Sequence, residues 1–175
     1  MGTVKRVKLI IEGPDGSGKS YLSKELSKRL GVDIFHAGGP ITDRESFDNR
    51  IAHQLARDDE IVDRCSVFSE PAYGTIVRGK SLIGYKEWAE IVEELSYNDW
   101  RIVYCNAWGE VEQDKDYKSK EHYEAIVSNR SLIHNFYETM ITDAIRLGLD
   151  VITYNWQEVK DGDEEAVMDW LEWRL

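Results

Sequence analysis

The chain has 175 residues, 42 % of them hydrophobic, enough for one domain with a sizeable core. Its 33 acidic and 22 basic residues leave a formal net charge of −11, which favours solubility and argues against a broad duplex-binding face. No stretch reaches transmembrane length, and Cys65 and Cys105 form neither a metal pair nor a disulfide framework, so both read as buried apolar filler.

The N-terminal segment reads as neither a secretory signal nor a lipidation signal: its apolar run is short, it joins the first strand directly, and Arg6 stands where a lipidation signal needs Ser or Thr. The expected location is the cytoplasm, with no membrane partner. Val7 to Glu12, VKLIIE, reads as a central parallel strand. Gly13 to Ser20, GPDGSGKS, fits G-x-x-x-x-G-K-[ST] at every fixed position. From Lys19 the apolar residues Leu22, Leu26 and Leu30 recur along one helix face, and Gly31 ends that helix. Strand, glycine-rich turn and helix thus follow in the order a phosphate loop requires. Gly13, Gly16 and Gly18 let the backbone turn tightly and point its N–H groups inward, where the helix N-terminus adds positive potential. Lys19 reaches the β- and γ-phosphates and Ser20 offers its hydroxyl to Mg²⁺. Expected nucleotide contacts are Gly13, Asp15, Gly16, Ser17, Gly18, Lys19, Ser20 and Tyr21, with ATP and Mg²⁺ as cofactors. The motif does not name the acceptor.

Asp33 to His36 reads as a second strand, running into Ala37-Gly38-Gly39-Pro40. Loops beyond the carboxyl ends of strands border the ligand crevice in an open α/β sheet, so His36 is placed near the acceptor, in a structural or a catalytic role. Thr42 or Asp43 caps the next helix, supported by Glu45. Phe47, Ile51 and Leu55 cover the sheet, Arg44, Arg50 and Arg57 point toward solvent or the cleft with solvent the default, and Asp58-Asp59 forms the turn that follows. Glu60 to Arg64, EIVDR, reads as the third strand. Asp63 at its end suits magnesium or its water, and Arg64 suits a bidentate clamp on a phosphoryl group. Ser69-Glu70-Pro71 reads as a helix start with Pro71 in the first turn. Glu70 and Tyr73 are candidates for recognising the acceptor, with core packing an alternative for Tyr73, and Arg78 and Lys80 supply a second basic point.

Gly84 precedes a helix whose apolar face carries Trp88, Ile91, Val92 and Leu95, and Arg101 to Asn106 reads as the fourth strand. The charged stretch within 109–121, with Lys115, Lys118 and Lys120, reads as a lid that closes over the transferring phosphate or as an exposed loop. Glu121 to Leu147 reads as one long helix with Ile126, Ile133, Tyr137, Met140 and Ala144 along one side, and Arg130 turned toward the phosphates. Leu149 to Tyr154 is the fifth strand, with Asn155-Trp156 at the adenine end. Gly162-Asp163 starts a last helix that docks through Val167, Trp170 and Leu171. The expected fold is α/β: a five-stranded parallel sheet covered by helices on both faces.

Glu12–Ser20, His36–Pro40 (HAGGP), Val62–Arg64 (VDR) and Ser69–Gly79 (SEPAYGTIVRG), followed by a helix bearing Ile126, Arg130 and Tyr137, resemble the thymidylate-kinase-like branch of phosphate-loop kinases, above all short phage-encoded nucleotide kinases. The resemblance spans residues 7 to 155. It implies the P-loop NTPase fold of nucleoside monophosphate kinases with a short lid, and phosphoryl transfer from ATP to a deoxynucleoside monophosphate. Its implied catalytic residues are Lys19, Asp63, Arg64 and Arg130. The acceptor would meet Asp15, His36, Arg64, Glu70, Tyr73 and Arg78, and the metal Ser20 and Asp63. The chain departs from thymidylate kinases at Asp63-Arg64-Cys65 and at HAGGP, so the base is left open. The same branch includes phage enzymes that phosphorylate 5-hydroxymethyluracil within DNA, which makes modified DNA the alternative partner. A nucleotide-binding regulator is a third reading, and a homodimer a further partner.

Overall fold

The computed structural model describes residues 8–36, 39–57, 59–111, 119–158 and 163–172. Within them the elements run β1 (Leu9–Glu12), α1 (Lys19–Leu30), β2 (Ile34–His36), α2 (Arg44–Leu55), β3 (Ile61–Asp63), α3 (Ser66–Val77), α4 (Tyr85–Tyr97), β4 (Arg101–Cys105), α5 (Lys120–Ser128), α6 (Arg130–Arg146), β5 (Asp150–Tyr154) and α7 (Asp163–Glu172). The strands form one sheet in the order β2-β3-β1-β4-β5, with every pairing parallel. β1 lies at the centre, so the loop that follows it opens at the middle of the sheet's carboxyl edge.

The absence of alternation in the strands has a direct cause: both faces are covered. Successive strand residues point to opposite sides. Ile10, Val62, Ile102 and Tyr104 pack with Phe47 of α2, Phe68 and Ala72 of α3, Trp88 of α4 and Tyr137 of α6. Leu9, Ile11, Ile61, Val103 and Cys105 pack instead with Leu22 and Leu26 of α1 and Val167 and Leu171 of α7. Both cysteines are buried and free, as their filler role requires.

Several boundaries differ from the expectation for local reasons. β1 is described from Leu9, and Val7 lies outside the described residues. β3 stops at Asp63 because Arg64 takes a left-handed backbone (φ 67°) and leaves the sheet. Asp43, not Thr42, caps α2, accepting from the Ser46 amide at 2.8 Å. α3 begins at Ser66, not at Ser69, so Pro71 lies inside the helix. Partners distant in sequence supply that start: the Cys65 amide donates to Glu12 Oε2 (2.7 Å) and the Ser66 amide to Gln54 Oε1 (2.9 Å). The long C-terminal helix is two helices, broken at Asn129 (φ −108°, ψ 16°). The Asn129 side chain donates back to the Ala125 carbonyl at 2.8 Å, a local bond that competes with helix continuation. The centre of the expected lid, including Lys115 and Lys118, lies outside the described residues, as do Ala37, Gly38, Asp58 and Gly162.

Candidate active site

The loop from Gly13 to Gly18 is built by close approach. Gly13, Gly16 and Gly18 all have positive φ (150°, 79° and 94°). A Cβ on Gly13 would collide with the Cys105 carbonyl, one on Gly16 would lie 2.6 Å from the Gly109 and Glu110 carbonyls, and one on Gly18 would lie 2.6 Å from the Trp156 ring. The loop is thus a backbone-lined cradle, closed on one side by the chain after β4. The Gly109 amide fastens it by donating to the Gly16 carbonyl at 3.0 Å. Inside, the Ser17 hydroxyl is buried with no protein partner. Lys19 is buried with its Nζ 2.6 Å from the Pro14 carbonyl. Burial, and then the neighbouring Arg64, lowers the Lys19 pKa, while Asp15, Glu12 and Asp63 pull it back up. Ser20, in the first turn of α1, is exposed and lines the cleft in front of the loop. These residues fit a phosphate chain with its magnesium: inward backbone, a hydroxyl awaiting a partner, a held ammonium and an open Ser20.

That cleft has a volume of about 280 Å³ and extends from the loop to α3. Arg64 stands at its middle. Its amide donates to the Ile11 carbonyl at 2.9 Å and its carbonyl accepts from Gln54 Nε2 at 3.0 Å, two bonds that hold the left-handed backbone an arginine seldom adopts. Its guanidinium donates to Asp15 Oδ1 at 2.9 Å. The Asp15 amide donates to the Tyr73 hydroxyl at 3.0 Å, so Tyr73 both packs in the core and touches the phosphate loop. At the far end, Glu70 is buried, pairs with Arg78 and accepts from the Leu82 amide at 2.9 Å. On the opposite wall, His36 Nδ1 lies 2.9 Å from Asp63 Oδ2. Lys19, Ser20, Asp15, His36 and Asp63 therefore share one cleft with Arg64, Glu70, Tyr73 and Arg78, as the sequence suggests.

Three residues singled out from the sequence fall elsewhere. Tyr21 is exposed and turns toward Glu164 of α7, away from the cleft lining. Arg130 lies over the Trp108 ring (5.2 Å) and donates to the Gly109 carbonyl, so it braces the segment that fastens the loop and does not line the cleft. Lys80 is exposed and outside the cleft lining.

Other residues join the site without a signal in the motifs. Glu12 is fully buried at the end of β1. It accepts from the Gly13 amide (2.8 Å), the Cys65 amide (2.7 Å) and the Tyr137 hydroxyl (3.1 Å), tying together the loop, the turn after β3 and α6. Burial pushes its carboxyl up to about 7, against the pull of Lys19 and of the amides. Its sequence signal is an acidic residue closing an all-apolar strand directly before glycine. Arg50 takes the cleft rather than the solvent default, donating to the Gly39 carbonyl at 2.6 Å, whereas Arg44 pairs with Glu87 and Arg57 with Glu60. His122 and Ile126 of α5 close the cleft's outer side. His134 is buried and stacked on Trp108 (3.9 Å between ring centres). Burial, then Arg130 and Lys19, brings its pKa down to about 4, which makes it a neutral prop.

Among the described residues no helix is long and apolar enough to cross a membrane, and no group of three or more His, Cys, Asp or Glu side chains is placed to hold a metal ion by itself. No protein-family model matches the chain, and no curated protein matches it. Solved structures do. The YorR protein of Bacillus subtilis, in complex with phosphorylated GDP, is 21 % identical with a TM-score of 0.66, over 94 % of this chain and 95 % of that one. A deoxyadenosine kinase from M. mycoides with bound dCTP is 17 % identical with a TM-score of 0.54, over 95 % and 99 %. A thymidylate kinase from Ehrlichia chaffeensis is 17 % identical with a TM-score of 0.52, over 95 % and 98 %. At such identities the likeness is one of fold alone: an α/β fold with a five-stranded parallel sheet flanked by helices.

Proposed function

We propose that this protein transfers the γ-phosphoryl group of ATP to a deoxynucleotide-type acceptor. One observation carries the reading: the phosphate cradle with Lys19 and Ser20 opens into the same cleft as Arg64, Arg50 and Arg78. A cradle alone would serve a switch or regulator. Guanidinium groups facing it across a cleft of nucleotide size serve a second, anionic substrate. The likeness in fold to a deoxyadenosine kinase and to a thymidylate kinase supports the same class of reaction.

In this reading the loop amides and Lys19 hold the donor's β- and γ-phosphates. Ser20 would hold the magnesium ion, which when bound neutralises charge on the donor oxygens. Arg64, locked by Asp15, meets the charge that develops on the transferring group. Glu70 keeps Arg78 aimed into the acceptor end, and Arg130 acts from behind through Gly109. The segment over 109–121 serves as the lid that excludes water.

The acceptor is a free deoxynucleoside monophosphate, giving the diphosphate, or a 5-hydroxymethyluracil base within DNA. The test is transfer from γ-labelled ATP to a panel of deoxynucleoside and ribonucleoside monophosphates, and to DNA with and without 5-hydroxymethyluracil. Labelled acceptor is the expected outcome, with Lys19→Ala lowering turnover about 10²–10³-fold while the fold persists. ATP binding with no transfer to any acceptor would leave the regulator reading in its place.

A further inference from the structure

A trans peptide points its carbonyl and its N–H to opposite sides. The direction of one peptide in the phosphate loop therefore decides whether an amide faces the donor or turns away from it. Gly16 has φ 79° and no Cβ, so its own chain leaves the following peptide free to rotate. A contact from outside the loop fixes it. The Gly109 amide donates to the Gly16 carbonyl at 3.0 Å and holds that oxygen on the loop's outer side. The Ser17 amide, at the other end of the same peptide, then points inward. It donates to the Pro14 carbonyl at 3.3 Å, the same oxygen that Lys19 Nζ reaches at 2.6 Å. Amide and ammonium thus converge on one point, as two donors for one phosphate group would.

Gly109 is held from two sides. From α6, Arg130 donates to its carbonyl and lies over the Trp108 ring (5.2 Å), and His134 stacks on the same ring (3.9 Å between ring centres). From the end of β5, Gln157 Oε1 accepts from the Trp108 amide at 2.7 Å, and the Trp156 ring lies close against Gly18 and Gly109. A Cβ on Gly109 would lie 2.5 Å from the Gly16 carbonyl oxygen, so no side chain separates the two loops. Packing alone does not account for this brace. Arg130 Nε, His134 Nε2 and Asn106 Oδ1 are buried in it without a hydrogen-bond partner, an arrangement that costs stability where apolar side chains would not. What these groups supply is a fixed place for Gly109.

We infer that Trp108 is a positioning residue for the donor: gripped by Arg130 and His134, it fixes the Gly109 amide, and through it the inward direction of the Ser17 N–H that a donor phosphate oxygen meets. The inference rests on the phosphate-binding part of the transfer reading and holds for any acceptor. Trp108 lies outside the cleft lining and touches no reacting atom. Its effect is preorganisation: an oxygen that meets a preset amide gains its bond without first turning the peptide. The side chain is half in solvent, so its removal opens no cavity in the core.

The experiment titrates ATP with Mg²⁺ into the wild type, Trp108→Ala, Trp108→Phe and Leu171→Ala by calorimetry. It repeats each titration with inorganic tripolyphosphate, which has the phosphate chain and no base. Trp108→Ala is expected to weaken the binding of both probes by the same factor, about 10-fold, as loss of a hydrogen bond to a charged group does. Trp108→Phe keeps a flat ring for Arg130 and His134 and is expected to stay within about threefold of the wild type. Leu171→Ala weakens the fold away from the brace and is expected to bind both probes as the wild type does. Wild-type affinity in Trp108→Ala overturns the inference. A loss for ATP alone also overturns it, making Trp108 a contact of the base, and so does an equal loss in Leu171→Ala, making the effect one of stability. Tripolyphosphate that fails to bind the wild type removes the cradle reading itself, and the inference with it.

Discussion

A single carboxyl group sets the tension at the centre of this site. Glu12 is surrounded by donors that favour its charge, two amides and a tyrosine hydroxyl, yet its burial is complete and outweighs them. Its pKa of about 7 stands against an ordinary 4.5. Between those values the folded chain keeps a proton that the unfolded chain has given up. This contribution to stability is therefore full below about pH 4.5 and is lost as pH rises through about 7, by roughly 3 kcal/mol in all. Glu12→Gln is expected to remove that slope while leaving the other carboxylates to titrate. Urea unfolding of both proteins between about pH 5 and 8 reads the difference directly. Parallel pH profiles for the two would mean that Glu12 titrates alike in the folded and unfolded chains.

Among the elements, α3 shows how a helix can start where its own sequence has no cap. Gln54 is fully buried at the end of α2, and its amide bridges the Arg64 carbonyl and the Ser66 amide. Gln54→Leu leaves both groups without a partner in the interior, an expected loss of about 2–4 kcal/mol. It also releases the left-handed turn at Arg64, so KM for the acceptor should rise more than KM for ATP. Urea titration and steady-state kinetics measure the two effects. An equal rise in both KM values would count against a specific hold on Arg64. This bridge also shows what the sequence conveys and what it conceals. The phosphate loop, α1 and all five strands are legible because glycine spacing and apolar runs are local signals. The cleft membership of His36, Asp63, Arg64, Glu70, Tyr73 and Arg78 follows from their places beyond strand ends. The true start of α3 is not legible, because its caps come from Glu12 and Gln54, 53 and 12 residues away. Ser69-Glu70-Pro71 offers a better local signal and loses to them. Asn129 misleads in the opposite sense: the apolar pattern runs straight through it, and only its side-chain bond to Ala125 reveals the break. Arg50 and Arg130 exchange expectations for a similar reason, since a carbonyl close in space (Gly39 or Gly109) decides where each guanidinium points.

For the molecule as a whole, the cleft draws its lining from helices on both sides of the sheet's plane. α2, α3 and α5 supply Arg50, Glu70, Tyr73, His122 and Ile126 from one side, and α1 supplies Lys19 and Ser20 from the other. α1 and α7 close that other face, joined by Leu22, Leu26, Val167 and Leu171 and by an Arg29–Glu165 ion pair at 2.5 Å. α7 thereby backs the helix whose first turn carries Lys19 and Ser20. Leu171→Ala should lower the unfolding free energy by about 2–4 kcal/mol, and saturating ATP should raise the midpoint of the variant as it does that of the wild type. A midpoint untouched by the substitution would show that α7 is not docked as described.

The pairing of His36 with Asp63 is written into a hydrogen-bond ladder on an edge strand of three residues. A ladder counts residues, and a shift by one reverses which face each side chain leaves. The dyad is accordingly more vulnerable to a change in chain length than to many changes of side chain. One residue inserted between Gly31 and Ile34 would have to be absorbed next to the bonds that tie Val32 to Ser27. The same insertion between Ile34 and His36 would carry the imidazole to the far side of the sheet. The result would be a cleft that had lost its His36–Asp63 contact through an error of spelling.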